Sequence, residues 1–77
     1  MESYELKIAL NGVKEEVLRS RKKFEPFNSP HEGYAVILEE LDELWDEVKK
    51  STQDQAAMFK EAKQVAAMAI CFMLECT

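Results

Sequence analysis

The 77 residues predict an all-α domain, a three-helix up-down-up bundle that forms a larger helical bundle by oligomerisation. Three observations carry this expectation. Apolar residues recur at three- and four-residue steps in three successive segments, the spacing of one helical face. Two short joints separate those segments, and short joints make consecutive helices antiparallel neighbours. Only two Gly and two Pro are present, which leaves little material for long loops or a disordered tail, so residues 1–77 are expected to form one folded domain.

The first helix is expected over about residues 3–24, where Leu6, Leu10, Val13 and Val17 alternate four- and three-residue steps. Gly12 weakens it by about 1 kcal/mol relative to Ala. The joint Glu25-Pro26-Phe27-Asn28-Ser29-Pro30 ends it, because each proline disfavours helical backbone in the residue before it. Ser29-Pro30-His31-Glu32 then starts a second helix over about residues 30–50. Ser29 suits the N-cap, Pro30 the first helical position, and Glu32 completes a capping box. Tyr34, Ile37, Leu38, Leu41, Leu44, Trp45 and Val48 form its apolar stripe, in which Trp45 reads as a core residue. Lys49 and Lys50 suit the negative end of its dipole. Ser51-Thr52-Gln53-Asp54 forms the second joint and carries a cap for a third helix over about residues 53–75. In that helix Val65 through Leu74 is apolar at every position, more than one buried face against two neighbours can satisfy. A partner subunit is the simplest cover, and at this length a thin core makes oligomerisation expected in any case.

The net charge of −5 argues against nucleic acid as a partner, since neutralising phosphates requires a basic face. The acidity is local: six acids fall between positions 39 and 47, and the rest of the chain carries nine acids against ten bases. The apolar run from Val65 to Leu74 is far shorter than the roughly 20 residues a membrane helix needs. The start Met1-Glu2-Ser3-Tyr4-Glu5 lacks the basic and apolar character of a signal peptide. Cys71 and Cys76 fit neither a metal knuckle nor a disulfide framework and read as buried thiols. A cytoplasmic protein that engages neither nucleic acid nor membrane is expected.

On a helical wheel Glu40, Glu43 and Glu47 share one shoulder of the second helix, and Glu39 lies outside Glu43. The same construction puts Glu61 and Gln64 at matching offsets on the third helix, so an antiparallel pair would present Glu40 and Glu43 opposite Glu61 and Gln64. Two readings follow. A run of acids is most often a solvated face. Alternatively, like charges three and four apart oppose the helix, and a divalent cation would relieve them; hard carboxylate oxygens suit Mg²⁺ or Mn²⁺ and, through them, phosphoanhydride chemistry.

Glu39-Glu40-Leu41-Asp42-Glu43 resembles the EExxE motif of the MazG-like, all-alpha nucleoside triphosphate pyrophosphohydrolases, and Glu61-Ala62-Lys63-Gln64 falls where that family has ExxD. The seventeen intervening residues lie within the family's usual gap, and the similarity runs from about Asn28 to Met73. The resemblance implies Mg²⁺-dependent hydrolysis of a nucleoside triphosphate to monophosphate and pyrophosphate by a homodimer or homotetramer, with Mn²⁺ as the other cation that suits such a site. It places Glu40, Glu43, Glu61 and Gln64 as metal ligands. Glu39 and Glu43 are the candidate catalytic acids, and Glu47 is as well placed as Glu39 to act as general base. Gln64 departs from the family's Asp: an amide ligates through its carbonyl oxygen but brings no charge. The chain ends at Thr77, where longer members continue into a fourth helix. Altered substrate choice, a site completed by another subunit, and a scaffold without catalysis are the expectations these departures leave open.

Lys60 and Lys63 flank Glu61 and are candidate phosphate contacts, as are Arg21 and Lys22 in the cluster Arg19, Arg21, Lys22, Lys23; basic residues at a helix C-terminus are also ordinary dipole partners. His31 is the only histidine, which excludes a His-based triad or a multi-histidine zinc site within one chain.

Overall fold

The computed structural model describes residues 3–77; Met1 and Glu2, on which part of the signal-peptide expectation falls, lie outside them. The described residues form three helices, α1 (Tyr4–Lys23), α2 (Pro30–Val48) and α3 (Gln55–Glu75), and no strand. None of the helices is long and apolar enough to cross a membrane.

Each helix begins on a side-chain cap that satisfies a backbone N–H left without an intrahelical partner. Ser3 Oγ accepts from Leu6 N at 2.9 Å, Ser29 Oγ from Glu32 N at 3.1 Å, and Asp54 Oδ1 from Ala57 N at 3.1 Å. Glu32 completes its cap one residue further back than the capping box predicts, accepting from Asn28 N at 2.9 Å and from Asn28 Nδ2 at 3.1 Å. α2 stops at Val48, whose carbonyl accepts from Gln53 Nε2 at 2.9 Å. Lys49 and Lys50 turn back onto Asp46 and Glu47, at 3.1 and 3.0 Å.

α3 is the central helix: it packs against both α1 and α2, which do not pack against each other. The buried apolar core is correspondingly thin, consisting of Ala67, Met68 and Cys71 on α3, with Val13, Val17, Phe27, Val36 and Ile37 packed around them. Gly33 sets the α2–α3 approach, since a Cβ there would lie 2.7 Å from Phe72 Cδ2 and 3.0 Å from Phe27 Cδ2. At the same end Glu75 accepts hydrogen bonds from the Arg21 guanidinium and from Phe27 N, the latter at 3.0 Å, which ties the end of α1 and the first joint to the end of α3. Arg21 also lies 5.0 Å over the Phe27 ring.

Two of the predicted stripes are divided by the fold. On α2, Ile37 and Leu44 turn inward beside Gly33, Val36, Glu40 and Glu47, whereas Tyr34, Leu38, Leu41, Trp45 and Val48 face outward. Trp45 is 58% exposed and is not a core residue of the single chain. On α1, Val13 and Val17 reach the core while Leu6 and Leu10 stay exposed, and the fully inward positions are Glu16 and Ser20. The exposure of Met73 and Leu74 agrees with the all-round apolar character of the third helix.

The chain presents 5940 Å² to solvent, against roughly 4800 Å² for a compact monomer of its mass. Its radius of gyration is 13.3 Å, where about 11.5 Å is usual for this length. Exposed apolar side chains on all three helices, Leu10, Trp45 and Leu74 among them, contribute to this excess.

The glycines make opposite predictions. Gly33→Ala drives a methyl group into the Phe72 ring and should lower stability by about 1 kcal/mol or more, overpacking exceeding the gain in helix propensity. Gly12→Ala meets only Lys63 Cδ, at an ordinary 3.4 Å, and should raise stability by about 1 kcal/mol. Urea unfolding of the two variants at one protein concentration checks both signs.

Candidate metal centre

The packing of α2 on α3 brings three carboxylates together. Glu40 and Glu43 stand one turn apart on α2, Glu61 faces them from α3, and one oxygen of each lies within 4.8 Å of the others. Glu40 and Glu61 are half-buried and Glu43 is exposed, so the cluster is open on one side. Glu39 remains exposed on the outer face, and Glu47 is neutralised by Lys50.

The electrostatics of this group are unfavourable as it stands. Burial pushes the Glu40 carboxyl up to about 7, with further contributions from the charge of Glu43, a hydrogen bond with Glu43, and the charges of Glu61 and Glu39. Near neutrality Glu40 therefore holds a proton for much of the time. A cation would remove the same repulsion. Oxygens on one octahedral Mg²⁺ at about 2.0–2.1 Å lie roughly 3.0–4.2 Å apart, so side-chain rotation alone would close this cluster onto an ion. The donor set, three hard carboxylates from two helices with one open side, suits Mg²⁺ or Mn²⁺ and leaves room for water or phosphate oxygens.

Gln64 lies one turn beyond Glu61, but its side chain stands beside Glu16 of α1. Glu16 was not among the residues singled out by the sequence. It is 5% exposed, and both its oxygens are occupied: Arg19 donates from Nε at 3.1 Å and from Nη2 at 2.8 and 2.6 Å, and Ser20 Oγ lies 3.4 Å away. Burial alone would raise its pKa, but hydrogen bonds from Arg19 and Gln64 and the charges of Arg19 and Lys63 outweigh that and hold it below the usual carboxylate range. Signs of this residue were present in the sequence: the Val13, Val17 face continues onto Ser20, and Glu16 has an arginine three residues on.

A groove of about 320 Å³ runs between α1 and α2 with α3 as its floor. Glu16, Glu40 and Gln64 line it where it meets the acidic cluster, Ser20, Val36 and Met68 lie further along, and Lys23, Phe24 and Glu32 line it towards the first joint. The four basic candidates are dispersed. Arg21 borders the groove but is engaged by Glu75, Lys63 lies along α1 at Gly12 with its charge felt at Glu16, and Lys22 and Lys60 are exposed. Lys23 lies 5.3 Å over the ring of exposed Phe24.

A pH dependence follows from Glu40. Its folded pKa of about 7 lies above its ordinary 4.5, so the folded chain holds the extra proton between those values, and stability falls as pH rises through that window. Glu40→Gln removes this loss. Relative to the parent, metal-free Glu40→Gln should gain about 1 kcal/mol, or roughly 5 °C in melting temperature, between about pH 5 and about pH 8 once solvent screening is allowed for. Melting curves of both proteins in chelator check it.

No family model, curated protein or solved structure matches this chain, so its site is read from its own residues.

Proposed function

We propose that this protein is a Mg²⁺- or Mn²⁺-dependent nucleoside triphosphate pyrophosphohydrolase of the MazG-like kind, working as a homodimer or homotetramer. The observation that supports it best is the meeting of Glu40, Glu43 and Glu61 from two helices within 4.8 Å, at the end of a groove large enough for a small ligand. An acidic face kept only for solubility would spread its charges apart; here burial and mutual repulsion raise Glu40 to about 7.

In this reading Glu40, Glu43 and Glu61 hold the cation. When bound, it neutralises phosphate oxygens and lowers the pKa of an attacking water. The chain's own residues do the rest. The helical pair holds the three carboxylates close together before substrate arrives, which lessens the ordering needed at the moment of reaction. In the same reading Glu39, exposed on the outer side of the cluster, or Glu47 accepts the proton from water. The groove floored by Met68 and walled by Ser20 and Val36 receives the nucleoside, and Lys60, on the residue before Glu61, lies near enough in sequence to meet the phosphate tail.

A second reading, a helical oligomerisation or adaptor module on the same scaffold, is favoured by the outward apolar face of α2 and by the absence of a charge at Gln64. The two readings differ in what the acids do. A panel of nucleoside triphosphates with Mg²⁺ or Mn²⁺ should release pyrophosphate, and Glu43→Gln should reduce that rate by more than the 10- to 100-fold typical of outer-shell substitutions. An assembled protein that turns over none of the panel, and whose melting temperature does not respond to either cation, would leave only the scaffold.

The assembly is tested separately. Trp45→Glu puts a charge in the middle of the outward α2 face and should shift the protein to a smaller species in light scattering, with helix content falling as the monomer loses its cover. An unchanged mass would place the subunit contact elsewhere.

A further inference from the structure

We propose that two copies of this chain stack back to back through the face opposite the groove, with α3 of one copy lying on α3 of the other at Ala66. This placement rests on the assembly reading above and fixes the side on which the second copy sits.

Because α1 and α2 each pack on α3 and not on each other, the three helices lie in one layer with α3 in the middle. Glu16, Met68 and Glu40 mark the groove side of that layer, one from each helix. Helical geometry places a different set on the other side: Leu10 on α1, Leu41 and Trp45 on α2, and Ala62, Ala66 and Met73 on α3. All of these are exposed except Ala66, which is half-buried. From Phe59 to Met73 this outer arc of α3 carries no charged residue, and the apolar stripe of α2 beside it carries none either. Two clefts follow the seams on the same side. One of about 280 Å³ runs between α1 and α3 over Val13, Val17 and Ile70, with Lys14 at its α1 rim, and the other lies between α2 and α3 at Pro30, Tyr34 and Phe72.

A single layer of helices buries its seams but not its faces, and domains cover the remaining apolar face with a second layer. The surface by which the chain exceeds a compact monomer, roughly 1100 Å², is more than the about 800 Å² that each partner gives to a stable interface. Charge makes a second copy the fitting layer. In a two-fold contact each patch meets itself, so like charges face like charges. The groove side, with Glu40, Glu43 and Glu61, repels its own copy, whereas the uncharged arcs of α2 and α3 do not. Ala62, Ala66 and Ala69 keep the middle of α3 low, and small side chains at a contact bring helix axes to the near end of the usual range, about 8 Å. In the stacked pair each acidic groove opens on the outside and takes no residue from the partner.

Light scattering on the full chain and on Ala66→Glu, Met73→Glu and Ala35→Glu tests this, in chelator so that the result does not depend on the cation reading. Ala66→Glu and Met73→Glu should each halve the mass of the assembly. Ala35, exposed on the outer edge of α2 and turned from this face, is the control, and Ala35→Glu should leave the mass unchanged. Parental mass in Met73→Glu, or in Ala66→Glu that retains its helix content, overturns the inference, as does a halved mass in Ala35→Glu. If Ala66→Glu does not fold, Met73→Glu decides, because Met73 is 64% exposed in the single chain and lies outside its buried core. A lower mass in Trp45→Glu beside parental mass in both α3 variants places the contact on α2 alone and also overturns the inference. A parent that is monomeric at every concentration overturns the assembly reading as well, and so is distinguishable from failure of this face alone.

Discussion

The close approach of α2 to α3 at Gly33 is the constraint on which the rest of the molecule depends. With no side chain at that position, the Phe72 ring lies directly against the α2 backbone, and Phe27 closes the same contact from the joint. That contact sets the register of two antiparallel helices. Seven residues along α2 and eight back along α3 the register brings Glu40 level with Gln64, and a further turn brings Glu43 level with Glu61. A slip of one residue would rotate the facing side chains by about 100° and scatter the carboxylates, so the charge cluster is a consequence of apolar packing two turns away. The Arg21, Glu75 and Phe27 hydrogen bonds reinforce the same end by holding α1 and the joint against α3.

This register brings like charges together in a molecule with little stability to spare. Three buried apolar residues make a small core, and burial, with the charges of the neighbouring acids, raises the Glu40 carboxyl to about 7. Small domains meet such demands with disulfides, metals or partners. Both cysteines are free, Cys71 within the core and Cys76 near the carbonyl of Ser29, so the first of these does not operate here. The two remaining means fit the two features the single chain leaves incomplete. Under the proposed reading a cation would relieve the carboxylates, and a second copy would cover the outward face of α2.

Much of this was legible in the sequence because it depends on local chemistry. The caps at Ser29 and Asp54 follow from turn residues, and the placing of Glu40 and Glu43 on one shoulder of α2 follows from helical geometry; the packing of α3 then brings Glu61 to them. The division of the α2 stripe was not legible. The seven apolar residues lie within about 120° of helix, and periodicity alone does not show that the buried arc is centred to one side of that stripe, on Gly33, Val36 and Glu40. Hence Trp45, which reads as core by spacing, is exposed in the single chain. Glu16 was hidden for a different reason. An acid with an arginine three residues on is common on solvated helices, and the burial of Glu16 becomes apparent only when α3 is known to run along α1.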